Sequence, residues 1–280
     1  MATLTLHLEA PQDPNPWRVE QKAFDILNEY LQPASTMPPE ASAQRIDSLA
    51  PMKRAGPDEG QDKESPESFL SEIWSLFIAV GKQIPHDHPS QDRLVGLVKA
   101  LCTIPPTEVQ IWGKDTRVWV DLPLLHPAMR EAWIAPTYNN ATPPEPKAAE
   151  WLNLNSFAAR LLTIDAVSWT TFAIWALRAA LEDASSGPKL DCDVAAAAQW
   201  IVHGGEVLFG ECTPEARGGD ESRVLASGRL YQGKSGLFVE RWMFWKKRFG
   251  EVYMQEGEKG RMAREARDRM EDIERSAPAS

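Results

Sequence analysis

Gly228-Arg229-Leu230-Tyr231-Gln232-Gly233-Lys234-Ser235 spells G-x-x-x-x-G-K-S in full, and its reading decides between two fold classes. As a phosphate loop it would supply glycines for close backbone approach, Lys234 for the β- and γ-phosphates and Ser235 for magnesium. That chemistry belongs to a parallel sheet with the loop at a strand's carboxyl end. Arg223-Val224-Leu225-Ala226 fits a preceding strand, and a helix follows. Against this, only 45 residues of the 280 come after Ser235, too few for the remaining strands. No downstream apolar run ends in an Asp that would hold the metal. The helix behind the loop carries Phe238, Trp242, Phe244, Trp245 and Phe249, a core-facing pattern. Gly228, Gly233, Lys234 and Ser235 are therefore nucleotide-site candidates set against a plainer reading, a glycine-rich turn and N-cap.

Upstream of the loop, helical periodicity dominates. Phe24, Leu27, Tyr30 and Leu31 stripe a helix that starts near Trp17, and Pro38 to Leu49 reads as a second, shorter one. Ser65-Pro66-Glu67 supplies an N-cap, a first-turn proline and a carboxylate that suits the helix dipole. Behind it Phe69, Leu70, Ile73, Trp74, Phe77 and Ile78 form a wide apolar stripe. The next helix opens after Pro89 with Leu94, Leu97, Val98 and Leu101 on one face, and Pro105-Pro106 stops it. Further helices are predicted at Glu150 to Leu162, Ala166 to Asp183, Cys192 to about Gly210 and about Leu237 to Tyr253. The Ala195–Ala198 run allows close helix–helix approach.

Between Glu108 and Val120 the period changes. Val109, Ile111, Val118 and Val120 alternate around Gly113-Lys114-Asp115, which predicts a small β-hairpin. No βαβ rhythm and no fixed repeat occurs. The expectation is an all-α fold, one irregular multi-helix bundle over residues 1–280 with a single hairpin near 108–120. Residues 51–65, rich in Gly, Pro, Lys, Asp and Glu, read as a mobile loop, and Asn139 to Lys147 as another. Residues 256–280 mix acids and bases with few apolar side chains, which predicts a charged, partly frayed C-terminal helix and tail.

A net charge of −10 argues against a generally basic surface for DNA or anionic membranes. No apolar run approaches the roughly 18 residues of a membrane span. The first residues lack a basic, then apolar, leader pattern, so cytoplasmic location is the expectation. Cys102, Cys192 and Cys212 are odd in number and widely spaced, which implies no disulfide framework.

Two other groupings carry donor chemistry. Ile84-Pro85-His86-Asp87-His88-Pro89 places His86 and His88, with Asp87 between them, in a proline-stiffened turn. The histidines are candidate metal ligands, and all three are candidate catalytic groups; the alternative is a turn in which Asp87 or His88 caps the next helix. His203 and Glu206 share a helix face and form a candidate acid–base pair, or a satisfied polar pair between helices. The chain holds 11 tryptophans, explained by core packing or, for a subset, by a pocket for a flat apolar molecule.

Several stretches resemble one family. They are Ser65-Pro66-Glu67-Ser68-Phe69-Leu70; Pro85-His86-Asp87-His88-Pro89-Ser90-Gln91-Asp92; Asp121-Leu122-Pro123-Leu124-Leu125; and Trp151-Leu152-Asn153-Leu154-Asn155-Ser156-Phe157-Ala158-Ala159-Arg160. Gly236-Leu237-Phe238, leading to Arg241-Trp242 and Phe244-Trp245, is the last. Together, over about Phe24 to Glu274, they resemble the fungal (ascomycete) domain-of-unknown-function 3632 family. The resemblance implies a soluble fungal protein, with some relatives near genes of secondary metabolism, and it transfers no catalytic residue. The functional expectation is a small-molecule binder or modifier, accessory to or tailoring in secondary-metabolite biosynthesis, with no cofactor assigned. Its rival is a non-catalytic helical module with a protein partner. Nucleotide binding through 228–235 stands third.

Overall fold

The computed structural model describes residues 3–8, 19–54, 64–136, 145–212, 225–252, 254 and 257–277. Most of the expected 51–65 loop and 139–147 loop, together with Trp17 and residues 278–280, lies outside the described residues. The fold is all-α with one two-stranded hairpin, as the periodicity predicts. Contacts gather into two compact units, residues 1–135 and 136–280.

The first unit holds α1 (Glu20–Leu31), α2 (Pro39–Asp47), α3 (Pro66–Gln83) and α4 (Ser90–Cys102), followed by β1 (Glu108–Ile111), β2 (Lys114–Arg117) and α5 (Leu125–Ala132). Ser65 caps α3, its hydroxyl accepting from the Ser68 N–H at 3.0 Å. Phe69, Leu70, Ile73, Trp74 and Phe77 on α3 are fully buried. Trp74 donates its indole N–H to the Pro123 carbonyl at 2.7 Å and meets the Trp119 ring edge to face at 5.6 Å. Trp119 in turn donates to Asp47 Oδ1 at 2.7 Å, tying this corner to the end of α2.

The hairpin pairs Glu108 with Arg117 and Ile111 with Lys114, so the turn is Trp112-Gly113 rather than Gly113–Asp115. Val118 and Val120 fall outside the strands. Trp112, Trp119, Leu122 and Leu124 all have positive φ (50°, 67°, 45° and 67°), a conformation costly for residues carrying a Cβ. Packing holds the last three there, since each is buried.

The second unit holds α6 (Glu145–Leu161), α7 (Thr170–Leu181), α8 (Gly187–Glu211), α9 (Val239–Val252) and α10 (Glu258–Ser276). Helix α8 packs against α6, α7 and α10. Ala196, Ala197 and Ala198 are buried, in keeping with the expected close approach. Gly205 allows α10 its place, because a Cβ there would lie 2.7 Å from Ile273 Cδ1. Helix α10 carries the charges its composition suggested, and one stripe of it is buried. Met262, Ala263, Ala266, Met270 and Ile273 recur at three- and four-residue spacing and are buried. The many charges occupy the other faces, so composition alone understates the stripe.

Candidate functional site

The 228–235 loop is organised around an ion pair. Glu182, just past the end of α7, and Arg241, on the first turn of α9, are both fully buried. Arg241 Nε donates to Glu182 Oε1 at 2.7 Å and Nη2 to Oε2 at 3.0 Å, a bidentate fork. Its remaining donors reach the carbonyls of Gly236 (2.8 Å), Leu225 (3.0 Å) and Ala226 (3.2 Å). The carboxylate also accepts from the Trp245 indole N–H at 2.7 Å and the Gly228 N–H at 2.7 Å. Leu230 N–H donates to the Glu182 carbonyl at 2.8 Å. Buried charges survive only when paired and hydrogen-bonded in this way.

The glycines of the motif therefore have a packing role. A Cβ at Gly228 would lie 2.6 Å from Glu182 Cβ, and one at Gly233 would lie 2.2 Å from the Tyr231 hydroxyl oxygen. The Gly228 amide, where a phosphate would be cradled, already serves an internal carboxylate. Lys234 is exposed and Ser235 half-buried, and α9 begins four residues beyond Ser235. No parallel sheet supports the loop among the described residues. Burial, with Glu240 adding repulsion, pushes the Tyr231 phenol up to about 12.

His86, Asp87 and His88 lie in the turn between α3 and α4, with Asp87 exposed and both histidines half-buried. His88 Nδ1 accepts the Ser90 N–H at 3.2 Å beside the first turn of α4, whose N-cap residue is Pro89. Its Nε2 is buried without a hydrogen-bond partner among the described residues. His203 and Glu206 are on α8, in the other unit. His203 is half-buried, while Glu206 is exposed and paired with Arg269 of α10 at 2.6 Å. The candidate chemistry is thus divided between two units. Among the described residues, no three His, Cys, Asp or Glu side chains converge where one metal ion could bind them.

Most of the described tryptophans form core. Trp74, Trp119, Trp169, Trp200, Trp242 and Trp245 are buried, and each donates its indole N–H within the fold. Cys212 is a poor nucleophile, because burial pushes its thiol up to about 12. Trp112 differs from all of these. Its ring is 67% exposed at the hairpin turn, and its indole N–H donates to Glu67 Oε1 at 2.9 Å. The alternating strands signalled the hairpin, but no sequence period marks which of its residues faces outward.

A family model described as "Protein of unknown function (DUF3632)" matches residues 74–249, from α3 into α9. The chain belongs to this family. Within the DUF3632 match lie His86–His88, the Trp112 turn, His203 and Glu206, and both partners of the Glu182–Arg241 pair. The match is narrower than the span from Phe24 to Glu274 over which the motifs suggest it. No curated protein and no solved structure matches the chain. No helix among the described residues is long and apolar enough to cross a membrane.

Proposed function

We propose that the chain is a non-catalytic helical interaction module that presents the Trp112 hairpin to a protein partner. One observation carries this reading. An indole stands exposed at φ +50° where an Asn-Gly turn would be far more comfortable, and a hydrogen bond to Glu67 holds it in place. Packing explains the other left-handed residues of this corner, and a strained residue that core packing does not explain points to function. Tryptophan is also among the residues most enriched at binding hot spots.

Trp112→Asn tests this without knowledge of the partner. The asparagine relieves the backbone and loses one exposed hydrogen bond, so urea unfolding should show a stability gain of about 0.5 kcal/mol. A loss above about 1 kcal/mol would mean that the ring serves the fold, and the reading would fail. A photo-crosslinking phenylalanine analogue at position 112 should capture one polypeptide from the source cell's extract. The same analogue at the exposed Met254 should not.

A small-molecule ligand is the second reading, favoured by an open cleft of about 650 Å³ beside α1. Its lining mixes polar side chains (Asp25, Asn28, Glu29 and Gln32) with apolar Leu4 and Leu6, rather than the histidines and tryptophans the sequence suggested. A fungal origin and a place near secondary metabolism rest on the motif resemblance alone.

A further inference from the structure

Residues 3–8 form no helix and pair with no strand among the described residues, and their burial alternates as an extended run would. Leu6 is buried, Leu4 and Leu8 are half-buried, and Thr3, Thr5 and His7 are exposed. Two glutamine side chains take the place of neighbouring strands. Leu4 N–H donates to Gln32 Oε1 at 3.2 Å, and Gln32 Nε2 donates back to the Leu4 carbonyl at 3.3 Å. His7 N–H donates to Gln83 Oε1 at 2.8 Å, and Gln83 Nε2 donates to the His7 carbonyl at 2.9 Å.

A carboxamide carries the same N–H and C=O pair as a peptide group, so each glutamine mimics one residue of a β-ladder. Main-chain groups of successive extended residues point to opposite edges. Leu4 and His7, three residues apart, are therefore gripped from the two edges. Both glutamines are held from their own helices. Gln32 Nε2 also reaches Asn28 Oδ1 at 3.0 Å, and Gln83 Nε2 also reaches the Ala79 carbonyl at 3.2 Å.

All four bonds read main chain, and the only side-chain demand is apolar groups at alternate positions. The cleft of about 650 Å³, lined by residues 3–6 and by Asp25, Asn28, Glu29 and Gln32, opens beside this segment on its α1 side. We infer that α1 and α3 form a seat for an extended peptide with apolar side chains at alternate positions. Residues 3–8 fill it in cis, as a plug that the matching segment of a partner protein displaces. This is strand recognition by main-chain pairing with alternate pockets, with side-chain amides standing in for the sheet edge. It is independent of Trp112, and Trp112→Asn should leave it unchanged.

The test uses the full chain carrying Leu6→Asp, which loosens the plug and leaves the seat intact. A fluorescein-labelled peptide of residues 1–10 is titrated and followed by anisotropy. The Leu6→Asp chain should bind it saturably. The wild-type chain should show no rise below about millimolar peptide, because its tethered segment competes at that effective concentration. N-methylation of the peptide at Leu4 and His7, or Gln32→Ala in the Leu6→Asp chain, should weaken binding about tenfold or more. Absence of saturable binding to folded Leu6→Asp chain overturns the inference, as does equal binding of the N-methylated peptide. If Leu6→Asp and the milder Leu6→Ser both lose the helical circular dichroism signal, the segment is a strut rather than a plug, and the inference falls. A wild-type dimer that Leu6→Asp converts to monomer would assign the seat to a second copy and overturn the partner reading.

Discussion

Replacing Arg241 with methionine should be among the most damaging single changes in the second unit. Arg241→Met keeps much of the apolar stem but removes five donors. Glu182 then keeps only the Trp245 and Gly228 N–H groups, and three carbonyls lose a partner. Removing one member of a buried pair costs about 3–5 kcal/mol, because the other charge stays desolvated. The Leu225 and Ala226 carbonyls lie on half-buried residues that can reach water, so the buried Gly236 carbonyl dominates and the three add about 1 kcal/mol in all. The expected loss is about 4–6 kcal/mol, comparable to the whole stability of a modest domain. Urea unfolding monitored at 222 nm measures it, and amide exchange at Gly228 and Leu230 reports the loop directly. Glu182→Leu with Arg241→Met should cost less than the sum of the single changes by about 2 kcal/mol, since no lone charge remains. A loss below about 1 kcal/mol for Arg241→Met would place the pair with ordinary surface ion pairs and undo the account of the loop.

Gly228→Ala should cost about 1–3 kcal/mol, because its Cβ meets Glu182 at 2.6 Å, whereas Lys234→Ala should stay within about 0.5 kcal/mol. A nucleotide-induced thermal shift lost in Lys234→Ala would instead restore the phosphate-loop reading. Tyr231 holds its proton longer folded than unfolded, so the neutral form is favoured in the native state and stability falls as pH rises from 10.0 toward about 12. Tyr231→Phe should flatten that decline in alkaline unfolding curves. At neutral pH it should stabilise by about 1 kcal/mol, since the buried hydroxyl has no partner among the described residues.

Helix positions were legible where the apolar stripe was wide, as in α3, whose Ser65 cap was also readable. The short α5 was missed because eight residues starting after a left-handed Leu124 make too little periodic signal. The burial of α10 rests largely on alanines and methionines diluted among charges. Glu182 and Arg241 lie 59 residues apart, a separation no local period encodes. One hint existed: Arg241 falls on the same face as Phe238 and Trp245, at three- and four-residue spacing, where a charge must find a buried partner. The alternation Thr3-Leu4-Thr5-Leu6-His7-Leu8 was equally open to reading. Its edge partners were not, because they are side chains at positions 32 and 83.

The corner from Trp119 to Leu124 has a kinetic consequence. Its three left-handed residues are held by burial, with Trp119 against Trp74, Phe69 and Asp47 and the Pro123 carbonyl on the Trp74 indole, not by any preference of their own. Such a conformation gains nothing until α2 and α3 are already docked, so it should be nearly absent from the folding transition state. Substitutions there should speed unfolding and leave the refolding rate almost untouched.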